Sequence, residues 1–322
     1  MSEREWAARA AGWSPPPLRA TRGPGGSRQA GVSATGPDIL WEMRFGLFLP
    51  PFDEFADPGR VVELAVAAEE AGWQGLFLWD HILAGVGRPV ADPWITMAGI
   101  ATATRTIRFG AMVTPLARRR PWILARQIAS LDRLSGGRLT VGIGLGEDGW
   151  HEFSSFGEAP SAVSRGRLLD ESLSLLQNLL SGEPVDHRGE AYTVSSIAFL
   201  PPPLQQPLPI WGAGEWPHRR PLARAARLQG FFPIFAGGNR SMSPDPTQVR
   251  EIRRLLGDRG APPKFDLVVT WALSLEPRDR LAAAVAELDE AGVTWALEAF
   301  APGNPPASEV DEIVRRGPPL RG

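Results

Sequence analysis

The stretch GLFLWDH, residues 75–81, decides how the rest of the chain is read. Gly75 to Trp79 form an unbroken apolar run, the pattern of a strand covered on both faces. The run then stops abruptly at Asp80 and His81. The same pattern recurs in RFGLFLP (44–50), IRFGAMVTP (107–115) and RLTVGIGLG (138–146). PIWGAG (209–214), FFPIF (231–235), FDLVVTWAL (265–273) and VTWALEAF (293–300) supply four more strands. Helical stretches alternate with them: 57–72, 92–104, 121–137, 167–182, 217–228, 246–259, 278–291 and 308–315. The first two open on Asp-Pro, a capping side chain followed by a proline suited to the first turn, and Gly72 closes the first.

Strict strand–helix alternation requires a parallel sheet, either closed as a barrel or open and doubly wound. Eight such units over about 280 residues suit the (β/α)8 TIM barrel, which typically needs about 250 before insertions. The expected fold is therefore α/β, a (β/α)8 barrel. It has an insertion after strand 4 (EDGWHEFSSFGEAPSAVSRG, 147–166) and an extended or hairpin insertion at 183–208, before strand 5.

Composition narrows the function. A chain of 322 residues with 43% hydrophobic content can bury a full core. A net charge of -2 gives no basis for a nucleic-acid or acidic-membrane partner, and no apolar run is long enough to span a membrane. The absence of cysteine excludes disulfides, thiolate metal sites and cysteine nucleophiles. His81, His151, His187 and His218 lack the close spacing of a metal motif, so no metal is expected. Lys264 is the only lysine, which argues against catalytic-lysine chemistry. Residues 1–42 are rich in Gly, Pro, Arg and Ser and have neither apolar periodicity nor the apolar core of a secretory signal. They read as a disordered arm or a start-site artefact, with one domain at 43–322 and a cytoplasmic location.

Barrel active sites form at the C-terminal ends of the strands. There the sequence places Asp80-His81, Thr114-Pro115, Gly146-Glu147 and Gly212-Ala213-Gly214. An imidazole at such a mouth can exchange a proton near neutrality, although a histidine bonded to a loop carbonyl looks the same in sequence. Asp80 can orient or cap its loop. The 212–214 glycines can admit a phosphate to backbone N–H groups or form a tight turn. Arg118-Arg119-Arg120 can meet a phosphate or lie solvated, and Arg165 or Arg167 can likewise reach a phosphate. Trp79, Trp150, Phe153, Phe156 and Trp211 near the mouth favour an apolar or aromatic substrate.

WDH after the second strand, GAMVTP in the third, GIGLGE in the fourth and the run SGEPVDHRGEAYTV…PPPLQQPLPIWGAG make the chain resemble the bacterial-luciferase-like oxidoreductases over about residues 43–300. The family binds FMN or the deazaflavin coenzyme F420. The resemblance implies that His81 sits beside the reactive ring carbon and that Glu147 stands where deazaflavin-dependent relatives carry an active-site glutamate; Glu152 is the fallback, because the 147–166 excursion can carry it over the mouth. It also places a non-prolyl cis peptide at Ala111-Met112, and implies a possible homodimer. Asp80, Ala111, Met112, Thr114, Gly146, Gly212, Ala213 and Gly214 are then the coenzyme-binding candidates. Gly85 where sugar-phosphate dehydrogenases of the family carry a tryptophan, and the scarcity of lysine, argue against a sugar-phosphate substrate. The resulting expectation is hydride transfer between coenzyme F420 and a small apolar substrate. The alternatives are an FMN-dependent monooxygenase served by a flavin reductase, and a non-catalytic flavin-binding paralogue.

Overall fold

The computed structural model describes residues 43–319 apart from 159–160, 236–243, 302 and 304. The arm at 1–42 lies outside the described residues. From Met43 the chain alternates strand and helix. β1 (Arg44–Leu49) and β2 (Gly75–Leu78) flank α1 (Pro58–Ala71). α2 (Pro93–Ala103), β3 (Arg108–Ala111), β4 (Thr114–Pro115), α3 (Pro121–Leu134) and β5 (Val141–Gly144) follow. After α4 (Ala162–Leu180) come β6 (Val185–Arg188) and β7 (Thr193–Ile197), then β8 (Ile210–Trp216), α5 (Arg219–Ala225) and β9 (Gly230–Phe235). α6 (Pro246–Gly257), β10 (Asp266–Trp271), α7 (Arg278–Glu290), β11 (Trp295–Ala299) and α8 (Ala307–Arg316) complete the fold.

Local chemistry starts and stops these helices. The Asp57 carboxylate accepts from Gly59 N, Pro58 fills the first turn, and left-handed Gly72 ends α1. Asp92 repeats the start on Ile95 N, and Asp245 on Thr247 N. α4 begins at Ala162 rather than at the expected 167, because Ser161 caps it through Ser164 N.

The strands form one parallel sheet in the order β3-β2-β1-β11-β10-β9-β8-β5-β4. β3 and β4 are the two halves of one broken barrel strand: β3 pairs with β2, and β4 with β5. The free edge of β3 meets the chain leading into β5, where Phe109 N donates to Arg138 O (3.3 Å) and Thr140 N to Phe109 O (2.9 Å). The expected continuous strand at 107–115 is thus interrupted at Met112–Val113. That peptide bond is cis, one bond later than the Ala111-Met112 position expected. Gly110 and Gly142 allow the close crossing: a Cβ at Gly110 would lie 1.9 Å from Thr140 O, and one at Gly142 would lie 2.4 Å from Met112 Sδ.

Side chains alternate between two apolar layers. Phe48, Phe77, Met112, Trp211, Ala213, Phe232, Val268, Trp295 and Leu297 belong to one buried cluster. Their alternate neighbours, such as Leu47, Leu76, Leu267 and Ala296, pack in the larger cluster with the helices. Between α4 and β8, β6 and β7 make an antiparallel hairpin. The Glu171 carboxylate on α4 braces it, accepting from Ala191 N (2.9 Å) and Tyr192 N (2.8 Å) and meeting His187 Nε2 (3.0 Å).

Candidate active site

The chain leaves β2 with Trp79 N bonded to Leu49 O, and the next two residues turn polar. Asp80 is 1% exposed. Its Oδ2 accepts from Trp94 Nε1 (3.0 Å) and Thr114 Oγ1 (2.8 Å). Arg119 Nη2 donates to both carboxylate oxygens at 2.8 and 2.9 Å, and Arg118 Nη2 to the Asp80 carbonyl at 2.8 Å. Burial alone would push the Asp80 carboxyl up, but the Arg119 charge and hydrogen bond, the Arg118 charge and Trp94 hold it below the usual carboxylate value. The Asp80 carboxylate therefore ties β2 to β4, to α2 and to the turn before α3. Asp80 and Thr114, both coenzyme-binding candidates in the sequence, are thus hydrogen-bonded to each other. In the arginine run, Arg118 and Arg119 compensate buried carboxylates, while Arg120 is exposed beside Trp122, 5.7 Å from the ring centroid.

His81 follows, its side chain 20% exposed. Its ring stands 4.7 Å from that of Trp150, 5.7 Å from Phe52 and 6.0 Å from Trp79, centroid to centroid. Its Nδ1 is 2.7 Å from Oε2 of Glu152, which is 2% exposed. The other oxygen, Oε1, accepts from Ile82 N (2.6 Å) and Leu83 N (3.2 Å) and lies 2.9 Å from Arg118 Nη1. Burial works to raise the Glu152 carboxyl, yet the hydrogen bond and charge of His81, the Arg118 charge and the Ile82 amide bring it below the usual value. An ionised carboxylate only accepts. Nδ1 must then carry the proton, which leaves Nε2 as the nitrogen able to gain or lose one.

The fallback carboxylate is therefore the one brought to His81. Glu147 is exposed on the loop after β5. Gly146 is left-handed at φ 71, and a Cβ there would stand 3.0 Å from the Phe153 ring. Ala111 and Met112 are buried at the strand break. The 212–214 glycines lie inside β8, hydrogen-bonded to β5 and β9, and not in a loop after it. A Cβ at Gly214 would stand 2.1 Å from Pro221, and one at Gly212 would stand 3.2 Å from Ala225. These glycines make room for α5, while Ala213 packs in the same cluster as Met112. Arg165 is buried 5.0 Å from the Phe153 ring centroid, and Arg167 lies 3.9 Å from Glu190. A cavity of about 300 Å³ lies beside the network, lined by Ile82, Asp92, Arg118, Arg119, Phe156 and Glu158. The sequence offered Glu152 only as second choice to Glu147, and no signal in it linked Arg118 to either His81 or Glu152.

The protein is a parallel barrel with an imidazole–carboxylate pair beside the end of its second strand. Residues 43–313 match the luciferase-like monooxygenases, and the chain belongs to that family. An F420-dependent glucose-6-phosphate dehydrogenase of Nakamurella multipartita is 31% identical over 191 residues, 56% of this chain and 53% of the relative. The chain thus spans about half the length of that curated relative. Among solved structures, an F420-dependent secondary alcohol dehydrogenase in complex with an F420-acetone adduct superposes with a TM-score of 0.66 at 18% identity, over 87% of this chain and 99% of the other. A monooxygenase from Streptomyces bottropensis superposes with a TM-score of 0.69 at 21% identity, over 85% of this chain and 97% of the other. At these identities the structural likeness establishes the fold.

The rings of Phe52, Trp79 and Trp150 stand around His81, tilted or edge-on to it, an apolar surround that suits a flat redox ring, and among the described residues the hydrogen bond of its imidazole is the one from Nδ1 to Glu152. Among the described residues no group of three or more His, Asp or Glu side chains is placed to hold a metal, and no helix is long and apolar enough to cross a membrane.

Proposed function

We propose that the protein is an oxidoreductase that exchanges a hydride between coenzyme F420 and a small, largely apolar alcohol or ketone. The observation that carries this reading is the 2.7 Å contact between His81 Nδ1 and the buried, ionised Glu152. Coenzyme F420, when bound, supplies the two-electron hydride acceptor or donor. In the oxidative direction His81 Nε2 takes the hydroxyl proton as the carbinol hydride departs, and Glu152 stabilises the imidazolium that results. Phe52, Trp79 and Trp150 exclude water around the imidazole and offer apolar surface to the substrate. Glu147, exposed on the loop after β5, would exchange a proton with the coenzyme in this reading. F420 is preferred to FMN because the relative at 31% identity is named as F420-dependent.

The test is titration of the purified protein with F420 and with FMN, followed by turnover of a panel of short-chain alcohols. F420 is expected to bind the more tightly. His81→Ala should keep F420 affinity within a few-fold while losing about 10²–10⁴ in kcat. Preference for FMN with oxygen uptake would replace this reading by monooxygenation. Full turnover in the Ala variant would remove His81 from it.

A further inference from the structure

We infer that Arg118 is the positioning residue that sets the proton affinity of the His81–Glu152 pair. The inference concerns the site proposed above and rests on His81 being its proton acceptor. Glu152 is 2% exposed, and apart from His81 its charged partner among the described residues is Arg118, 2.9 Å from Oε1. The guanidinium cannot swing away. Its side chain is 5% exposed, Nη2 is bonded to the Asp80 carbonyl at 2.8 Å, and it lies over the Phe153 ring at 5.8 Å. Asp80 has an independent set of partners in Arg119, Trp94 and Thr114. Removing Arg118 therefore leaves Asp80 compensated and Glu152 not.

The charged groups around Arg118 come from several elements, among them α4, whose buried Arg165 lies over the same Phe153 ring at 5.0 Å. Asp80 and His81 follow β2, Arg119 is its chain neighbour, and Glu152 and Glu158 belong to the loop after β5. Asp92 caps α2 and shares the adjoining cavity. Arg118 is the cation among them in contact with Glu152. Its positive charge opposes a proton on the pair. Without it the buried carboxylate regains neutrality by holding a proton, on itself or through His81, to higher pH. The two groups then titrate as a unit with a raised midpoint.

The experiment follows the His81 imidazole by 15N–1H NMR against pH in the coenzyme-free protein, the signal being assigned by its loss in His81→Ala. The pH profile of kcat/KM is measured in parallel. In Arg118→Met the NMR midpoint should rise by roughly one unit or more, the size expected when a positive charge within a few ångströms of the pair is removed. The acid limb of the profile should move the same way, with about a tenfold loss of rate per unit at fixed pH below the midpoint. Arg118→Lys keeps the charge and should restore the midpoint to within a few tenths of a unit. Arg119→Met touches Asp80 and not Glu152, so it should lower thermal stability and leave the midpoint in place. If Arg118→Met does not fold, Arg118→Gln carries the same expectation.

An unmoved midpoint in the neutral variant would overturn the inference, as would an equal shift in Arg119→Met. Those results leave the role of His81 standing. Full turnover in His81→Ala would remove that role while the NMR midpoints still report on Arg118.

Discussion

At Glu152 two demands meet: a carboxylate must stay charged while almost wholly buried, and it must hold an imidazole in one tautomer. Two backbone amides and Arg118 meet the first, and Oε2 against His81 Nδ1 meets the second. Glu152→Gln separates them. The amide can still accept from Ile82 and Leu83, but it then turns its NH2 toward Nδ1 and favours the tautomer protonated at Nε2. Turnover should fall by about 10²–10⁴ with coenzyme affinity within a few-fold, and unchanged kcat would refute the tautomer argument. Asp80 and His81 announced themselves as a polar break in an apolar run. Their partners did not, because Glu152 lies 71 positions from His81 and Arg119 lies 39 from Asp80. No local periodicity records such separations.

Elements constrain one another through small residues and buried charge. Gly214 sits on β8 where Pro221 of α5 approaches, and an added methyl would stand 2.1 Å from its rigid ring. Gly214→Ala should therefore cost about 1–3 kcal/mol of stability by overpacking. Coenzyme affinity per folded molecule should change little, whereas loss of binding without loss of stability would support the phosphate-cradle reading.

On β11 the outward Glu298 is 1% exposed and accepts from Ser274 N (2.9 Å) and Oγ (2.8 Å). Burial outweighs those bonds and the Arg316 charge and pushes the carboxyl up to about 7 from an ordinary value of 4.5. Between those two values the unfolded chain binds fewer protons than the folded one, so stability falls as pH rises through the window. The contribution is on the order of 3 kcal/mol. Glu298→Gln should melt close to the parent at pH 5 and above it at pH 8 in scanning calorimetry. A gap that does not widen with pH would contradict the raised value.

For the whole molecule, the barrel is a ring of parallel pairings in which β1 registers on both β2 and β11. Removing either flank would open it. We propose that residues 43–322 are one cooperative domain. A variant beginning at Met43 should then melt in a single transition with an unchanged midpoint, and a fall of several degrees would show that residues 1–42 stabilise the barrel. The architecture was legible because its causes are local. Asp57-Pro58 and Asp92-Pro93 cap their own helices, and runs such as Leu76–Trp79 declare a strand covered on both sides. Strand–helix alternation then leaves few topologies.

The sequence by itself determined the alternation, the barrel and the strand ends at which a site can form. Only the tertiary structure decided which side chains face one another there. It joined Glu152 to His81, enclosed Arg118 and Arg119 with Asp80, and filled the space at Gly212 and Gly214 with α5. The physical reason is that backbone hydrogen bonds and caps act within a few residues. Compensation of a buried charge and the close approach of a helix to a strand depend instead on atoms that meet only when the ring has closed.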